Sequence, residues 1–395
     1  MNILFIANRF PYPPYRGDKL KIYNLAKRLS QNHTLYLLTF IQEKKDYKYV
    51  TELKKYFKKI ELVYLPKYLS ALRCLLKIFS PKPYQIIYFE SGKFRNMYEH
   101  FIRENKIDVI HTQHLRMSQY SHKTSGISRI LDLPDAYSLY WERRTKLKRN
   151  FILKIFDKIE YKKVIRFEKV VSEFDLNLVC SEEDKQFLKE SHENCNIDIL
   201  PNGVDFDYFM KLKHDYSVSE RLIFTCNMDY APNIDAVAYF VKEIFPLVLK
   251  KHNNVKFYIV GQKPVRKVLN LQSDNVIVTG FAKDLAAEYN KSTVAVSPVR
   301  IGAGTLNKVL EPMAMGIPVV STQVGFKGLG INSGDGAILA NTPAEFSAEI
   351  IKLLEDENYR REVGIKGKRV INENFSWDQI SVMLENYFNN LKKLT

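Results

Sequence analysis

Val296-Ser-Pro-Val-Arg-Ile-Gly-Ala-Gly-Thr-Leu-Asn-Lys-Val-Leu-Glu-Pro-Met-Ala-Met-Gly-Ile-Pro-Val-Val-Ser-Thr322 holds a strand end, a loop, a helix and the next strand. The apolar run up to Ser297 closes a strand. Gly302 and Gly304 lie in the loop, and a helix opens near Thr305 and runs to Met315. Gly316 and Pro318 stop the helix and launch the following strand. A glycine-bearing turn into a helix N-terminus offers free backbone N–H groups and the positive end of a dipole, which suits a diphosphate. Arg300 and Lys308 bring cationic donors to the same turn. Glu311, further along the helix, can accept hydrogen bonds from a vicinal diol such as a ribose. By spacing alone, an ordinary loop with solvated charges fits equally well.

The same alternation extends outward. Residues 222–225, 256–260, 276–279, 294–297 and 318–321 read as strands, and residues 234–251 as a helix. An earlier series starts with a strand at 2–7, a Pro-rich loop at 9–16, a helix at 19–30 and a strand at 33–40. Further strands are expected at 60–65, 109–111, 129–133 and 176–180. Strands alternating with helices imply parallel sheets covered on both faces. The expected fold class is therefore α/β, with two Rossmann-like, doubly wound domains joined near residues 201–217. A last helix at 378–391 is expected to pack back on the first domain.

The bulk numbers agree with two domains. The chain has 395 residues, 46% of them hydrophobic, and domains usually run ~100–200 residues. No apolar stretch of the ~18 residues that span a bilayer is present. The opening residues lack a basic leader and a small-residue cleavage site, and read as a strand rather than a signal peptide. Cys74, Cys180, Cys195 and Cys226 form no CxxC pair. A disulfide framework or zinc knuckle is not expected, and a reducing cytoplasm fits.

The long segment around Arg300 resembles the donor-site signature of family-4 retaining glycosyltransferases of GT-B fold. It resembles most closely a bacterial branch associated with exopolysaccharide synthesis. Other stretches carry the resemblance over nearly the whole chain: Val179-Cys-Ser-Glu182, Leu200-Pro-Asn-Gly-Val-Asp205, Met228-Asp-Tyr-Ala-Pro-Asn233, Ile259-Val-Gly261 and Ser376-Trp377. The resemblance implies two Rossmann-like domains facing across a cleft. Residues 1–204 would bind the acceptor and 205–376 the sugar nucleotide, with 377–395 a helix crossing back to the first domain. The implied activity is retaining transfer of a sugar from a nucleoside-diphosphate sugar to a glycan or lipid-linked acceptor. Gly302, Gly304, Thr305, Leu306 and Asn307 would hold the diphosphate with Arg300 or Lys308, and Glu311 the ribose. Charge on the departing diphosphate would be met by protein cations, with no metal and no other cofactor. The rival possibility is a catalytically idle partner subunit.

Two departures bear on the donor. Where the family often has a first glutamate in E-x7-E, this chain has Ala303. Cys226 stands where relatives usually have glycine, and its side chain could crowd the phosphates. In the first domain, the loop after the first strand keeps Gly17, but Asp18 follows instead of a second glycine. The strand end Val109-Ile-His-Thr-Gln-His114 offers His111 and His114 as candidates for the histidine near the donor sugar; Gln113 breaks the common His-x-His spacing. Asp135 and Ser138 resemble a branch motif on the acceptor side. Asp205-Phe-Asp207 has the form of a metal-binding DxD triplet but lies in an interdomain turn, so a metal role is not assigned.

The net charge of +16 is uneven. Residues 143–169 hold eleven Lys or Arg against three acids, half the excess in one run. No RRM, KH or helix-turn-helix pattern is present, so nucleic acid is not expected. Phe151, Ile152, Leu153, Ile155, Phe156 and Ile159 interleave with the cations, and residues 69–84 have the same flavour. A basic amphipathic helix suits an anionic membrane surface. Peripheral attachment to the inner face of the cytoplasmic membrane is the corresponding expectation. The competing one is a helix that packs its apolar stripe on the first domain.

Overall fold

The computed structural model describes residues 1–14, 17–146, 150–217, 220–301 and 307–394. It divides into two compact bodies, residues 1–201 with 380–395, and residues 202–379.

The first body is built on seven parallel strands. They are β1 (Asn2–Ala7), β2 (Thr34–Ile41), β3 (Lys59–Tyr64), β4 (Val109–Gln113), β5 (Ser128–Leu133), β6 (Leu176–Val179) and β7 (Ile197–Ile199). Their order is β3-β2-β1-β4-β5-β6-β7. Every residue of β1 from Ile3 to Ala7 is buried. Side chains alternate between faces, so both faces of the sheet are covered, as parallel pairing through helical crossovers requires. The chain winds one way through β1, β2 and β3, then reverses through β4 to β7. The reversal leaves a switch point between the carboxyl ends of β1 and β4, where ligands bind in open α/β sheets.

The second body repeats the plan with six parallel strands: β8 (Arg221–Thr225), β9 (Lys256–Val260), β10 (Val276–Gly280), β11 (Val294–Ser297), β12 (Val319–Ser321) and β13 (Ala337–Leu339). Their order, β10-β9-β8-β11-β12-β13, puts the switch point between β8 and β11. The two doubly wound α/β sheets are those expected from the alternation. Two strands escaped it, β7 and β13, because each has three residues and lies at a sheet edge. The helix expected over 234–251 starts earlier, at Ala231, and widens at Phe240–Ile244, where the Phe245 N–H reaches the Phe240 carbonyl. Pro246 explains the widening. It has no N–H and its ring would strike a carbonyl of the preceding turn.

A buried charge network ties the first body together. Lys21, on the helix Gly17–Leu29, is 1% exposed. Its Nζ donates to Asp132 Oδ1 at 2.7 Å on β5 and to the Leu200 carbonyl at 3.0 Å, beyond β7. Asp132 Oδ2 lies 3.1 Å from His111 Nε2 on β4. Burial by itself would raise the Asp132 carboxyl, but the Lys21 ammonium and His111 outweigh it and hold the group at about 2. The stretch 380–394 also packs in this body: Tyr387 donates to the Ile199 carbonyl at 3.0 Å, and the Glu385 carboxylate lies 2.9 Å from His33.

In the second body, one glycine decides how closely two strand ends approach. A Cβ on Gly261, after β9, would lie 1.6 Å from the Cys226 carbonyl oxygen. The Cys226 N–H donates to the Val260 carbonyl at 3.0 Å, so the loops after β8 and β9 run in direct backbone contact.

Two outcomes follow. Lys21→Met leaves the Asp132 charge buried and unpaired, and should destabilise the chain by about 3–5 kcal/mol in urea unfolding at neutral pH. Asp132 has a folded pKa below its unfolded value, so its contribution is present above pH ~4 and is lost as pH falls towards about 2. The gap between wild type and Lys21→Met should therefore narrow below pH 4; a constant gap would contradict the ion pair. Gly261→Ala should cost at least the ~1–3 kcal/mol of an overpacked core, read as a lower denaturation midpoint.

Candidate functional site

In the second body, the switch point gathers the carboxyl end of β8, the loop after β11 and the helix Asn307–Met315. That helix ends on a C-terminal cap with two backbone bonds. Gly316, at φ +83, donates to the Met313 carbonyl at 2.9 Å, and Ile317 donates to the Pro312 carbonyl at 2.9 Å. The loop after β11 is pinned from the next strand, since the Thr322 hydroxyl donates to the Val299 carbonyl. Gly302, Gly304, Thr305 and Leu306, expected in the diphosphate turn, lie outside the described residues, as does Ala303.

Glu311 faces the end of β8. Tyr289, 1% exposed, donates from its hydroxyl to Glu311 Oε2 at 3.2 Å and shares a short hydrogen bond with Thr225, the last residue of β8. Burial pushes the Glu311 carboxyl up to about 7, while Tyr289, Asn307 and Lys308 pull the other way. The carboxylate is thus oriented and near its titration point. Lys308, in the first helical turn, donates to Asn233 Oδ1 at 2.7 Å and lies 5.1 Å from the centre of the Phe224 ring. Asn233 in turn donates to the Asn227 carbonyl at 2.9 Å, pinning the loop that follows β8. One amide therefore holds both the loop and the lysine.

Arg300 stands differently from the donor role expected of it. Its guanidinium clamps Asp235 with two bonds, 3.0 Å and 2.7 Å, and lies 4.3 Å from the centre of the Tyr239 ring. It fastens the loop after β11 to the helix Ala231–Tyr239. Cys226 packs against the core of this body. Burial pushes its thiol up, with Lys308 opposing. Asp205 of the DxD triplet caps the short helix Phe206–Phe209 by accepting the Tyr208 N–H at 3.2 Å. Among the described residues, no group of three or more His, Cys, Asp or Glu is placed to hold a metal ion.

In the first body, the candidates separate. His111 belongs to the buried Lys21–Asp132 network and is 0% exposed. His114 follows the strand β4 with φ +73, a backbone conformation that non-glycine residues rarely adopt and that often marks functional sites. Burial holds its imidazole well below the usual histidine range. Its Nε2 lies 3.9 Å from Asp18 Oδ2, too far for a hydrogen bond. Asp18 pairs with Arg9 at 2.5 Å, and its carbonyl accepts from Gln113 at 2.8 Å. Gly17 opens the helix beside it, where an added Cβ would meet nothing within 4 Å. His114 lines a small cleft with Gln85, Arg116, Asp135 and Tyr137. Buried Gln85 Oε1 and His114 Nε2 meet no hydrogen-bond partner there. Burial, with Asp184 adding to it and Arg116 opposing, pushes the Asp135 carboxyl up to about 7. Ser138 is not part of this cleft lining. Its hydroxyl and N–H are both taken by the buried Glu168.

Sequence reasoning missed Tyr289, Thr225 and Asp235 altogether, and found Asn233 without a role. The first three act through side chains that only the sheet order brings together. Asn233 had a signal, its place in the motif Met228–Asn233, which enters the first helix of the second series.

Comparisons with known proteins bear on the family and the fold. Residues 219–356 match the model of the family "Glycosyl transferases group 1". The chain is 23% identical over 413 residues to an uncharacterized 44.6 kDa protein in the cps region of Klebsiella pneumoniae, covering 97% of this chain and 99% of that one. It is 28% identical over 210 residues to the capsular polysaccharide biosynthesis glycosyltransferase CapM of Staphylococcus aureus, covering 49% and 54%. Among solved structures, sucrose-phosphate synthase of Thermosynechococcus elongatus superposes with a TM-score of 0.73 at 14% identity, over 100% of both chains. Anabaena HepE, solved with UDP, gives 0.67 at 14%, over 99% of this chain and 100% of that one. Residues 219–356 thus form a group 1 glycosyltransferase domain, and the chain has the GT-B glycosyltransferase fold.

Proposed function

We propose that this chain is a retaining glycosyltransferase that moves a sugar from a nucleoside-diphosphate sugar to a glycan or lipid-linked acceptor in cell-surface polysaccharide synthesis. One observation carries the donor assignment. Glu311 is held by Tyr289 at the β8–β11 switch point, one helical turn from Lys308. The carboxylate accepts both ribose hydroxyls. Lys308 and the N–H groups that open its helix meet the charge that develops on the departing diphosphate. The capsular context is supported by the names of the Klebsiella and Staphylococcus relatives. HepE, solved with UDP, makes UDP the first nucleotide to test. For the acceptor side, we favour the first body's switch point. Beside it, beyond β4 and β5, His114 and Asp135 line one cleft, and its unpartnered polar atoms can accept or donate to sugar hydroxyls. Arg300 and Asn233 are positioning residues, acting through Asp235 and Lys308.

A thermal-shift screen against UDP-, GDP-, ADP- and dTDP-sugars tests the donor class, since a bound ligand raises the midpoint with the logarithm of its concentration over Kd. At least one should stabilise the chain, and Glu311→Ala should weaken it by on the order of 10–100-fold, the worth of ~1.5–3 kcal/mol for charged hydrogen bonds. No shift with any nucleotide sugar would remove the enzyme assignment; binding without transfer would point to an idle subunit. The titration of Glu311 gives a second test. Its carboxyl is protonated well below pH 7, so nucleotide affinity should rise as pH passes through about 7. Tyr289→Phe removes a hydroxyl that stabilises the charged form, so the midpoint of that rise should move upward, with affinity recovering at high pH. An unshifted midpoint would show that Tyr289 does not orient Glu311.

A further inference from the structure

The helix Phe151–Glu168 is inside out. Its buried positions are Asp157, Glu160, Val164 and Glu168, three acids and one apolar residue along a single face. Each acid has a task. Asp157 accepts from Arg144 at 2.8 Å, Glu160 accepts the Tyr84 N–H, and Glu168 holds Ser138. The outward face carries the apolar residues, with Phe151 75%, Ile152 73% and Ile159 50% exposed. An ordinary surface helix does the reverse. The expectation of an apolar stripe packed on the first domain is therefore overturned: the acids are inside.

A second segment has the same character and adjoins it. The helix Lys67–Leu76 buries only Ser70. Leu75 is 67% exposed, Leu76 76%, and Phe79, just beyond the helix, 98%. Lys163 of the inverted helix donates to the Ile78 carbonyl at 3.2 Å, and Glu160 accepts the Tyr84 N–H, so the two segments lie side by side. Contiguous exposed apolar surface of this kind marks an interaction site. Lys154, Lys158, Lys162 and Arg166 are exposed among these apolar residues and make no ion pair among the described residues. Every acid of the helix is turned inward, so the outward face is purely apolar and cationic. A protein partner would need an acidic, apolar surface of matching shape. An anionic bilayer offers both chemistries at once, acyl chains for the fringe and phosphate headgroups for the cations. Each cation near such a surface adds to the attraction. No described helix is long and apolar enough to cross a membrane, so the contact is interfacial.

We propose that these two segments form one monotopic docking face for anionic lipid, in which Leu75, Leu76, Phe79, Phe151 and Ile152 enter the headgroup–acyl boundary beneath a collar of Lys154, Lys158 and Lys162. The inference rests on this surface alone and does not depend on the donor assignment. Flotation of the full chain with vesicles of phosphatidylcholine, with and without phosphatidylglycerol, tests it. The chain should float with the anionic vesicles and at least tenfold less with the neutral ones. Phe79→Ser with Phe151→Ser should cut anionic binding at least tenfold. Lys154→Gln with Lys158→Gln and Lys162→Gln should remove the preference for anionic lipid. All five positions are exposed, so the fold should survive, checked by an unchanged thermal midpoint. Retained binding by both variants would overturn the proposal. So would absence of wild-type flotation, or a dimer in sedimentation equilibrium that the Phe79 and Phe151 changes dissociate while vesicles are ignored. Nucleotide binding measured in parallel should be unaffected.

Discussion

Parallel pairing is the constraint from which the rest follows. Because every strand in each sheet runs the same way, all carboxyl ends share one edge and every connection is a crossover. The winding reverses once per sheet, which leaves one place in each where two neighbouring loops part. In the second body that place lies between β8 and β11. Thr225, the loop pinned by Asn233 and the helix carrying Lys308 and Glu311 meet there although they are far apart in sequence. In the first body it lies between β1 and β4, and Asp18, Gln113 and His114 meet there.

Around the second switch point, polar side chains are arranged in short relays. Thr225 and Tyr289 set the angle of Glu311. Asn227 and Asn233 set the position of Lys308. Asp235 takes up Arg300. Each relay begins on backbone or on a neighbouring element and ends on a charged group. Burial then sets the electrostatics: Glu311 is raised towards neutrality in its partly apolar surroundings, while Asp132 in the first body is driven the other way by a lysine in contact. The same residue class serves as a titratable binding group in one body and as a fixed structural anion in the other. The difference lies in whether a cation is within hydrogen-bond reach.

Much of the fold was legible in the sequence because buried parallel strands are short apolar runs. β1, β2, β9 and β11 announce themselves in this way. β7 and β13 do not, since each is a three-residue strand at a sheet edge. At the candidate site, Lys308 and Glu311 were legible from a long motif of fixed spacing, and the structure brings them to one edge. Arg300 sits in the same motif, but its partner Asp235 is sixty-five residues away, a distance no local pattern spans. The histidines show the same limit. His111 and His114 are three residues apart, yet one is locked to Asp132 beneath the edge and the other lines a cleft. The helix Phe151–Glu168 left two readings open in the sequence, for a physical reason. Its apolar periodicity is real, but its acids found buried partners, so the apolar face was left to solvent.

In this account Glu311 binds the ribose of a nucleoside diphosphate. Calorimetric titration of UDP, 2′-deoxy-UDP and 3′-deoxy-UDP into wild type and Glu311→Ala isolates that contact. Removing either hydroxyl should weaken binding to wild type by about tenfold, near the ~1.4 kcal/mol of a charged hydrogen bond. Glu311→Ala should bind UDP and either deoxy nucleotide almost equally. Undiminished discrimination against the deoxy nucleotides in Glu311→Ala would contradict the claim.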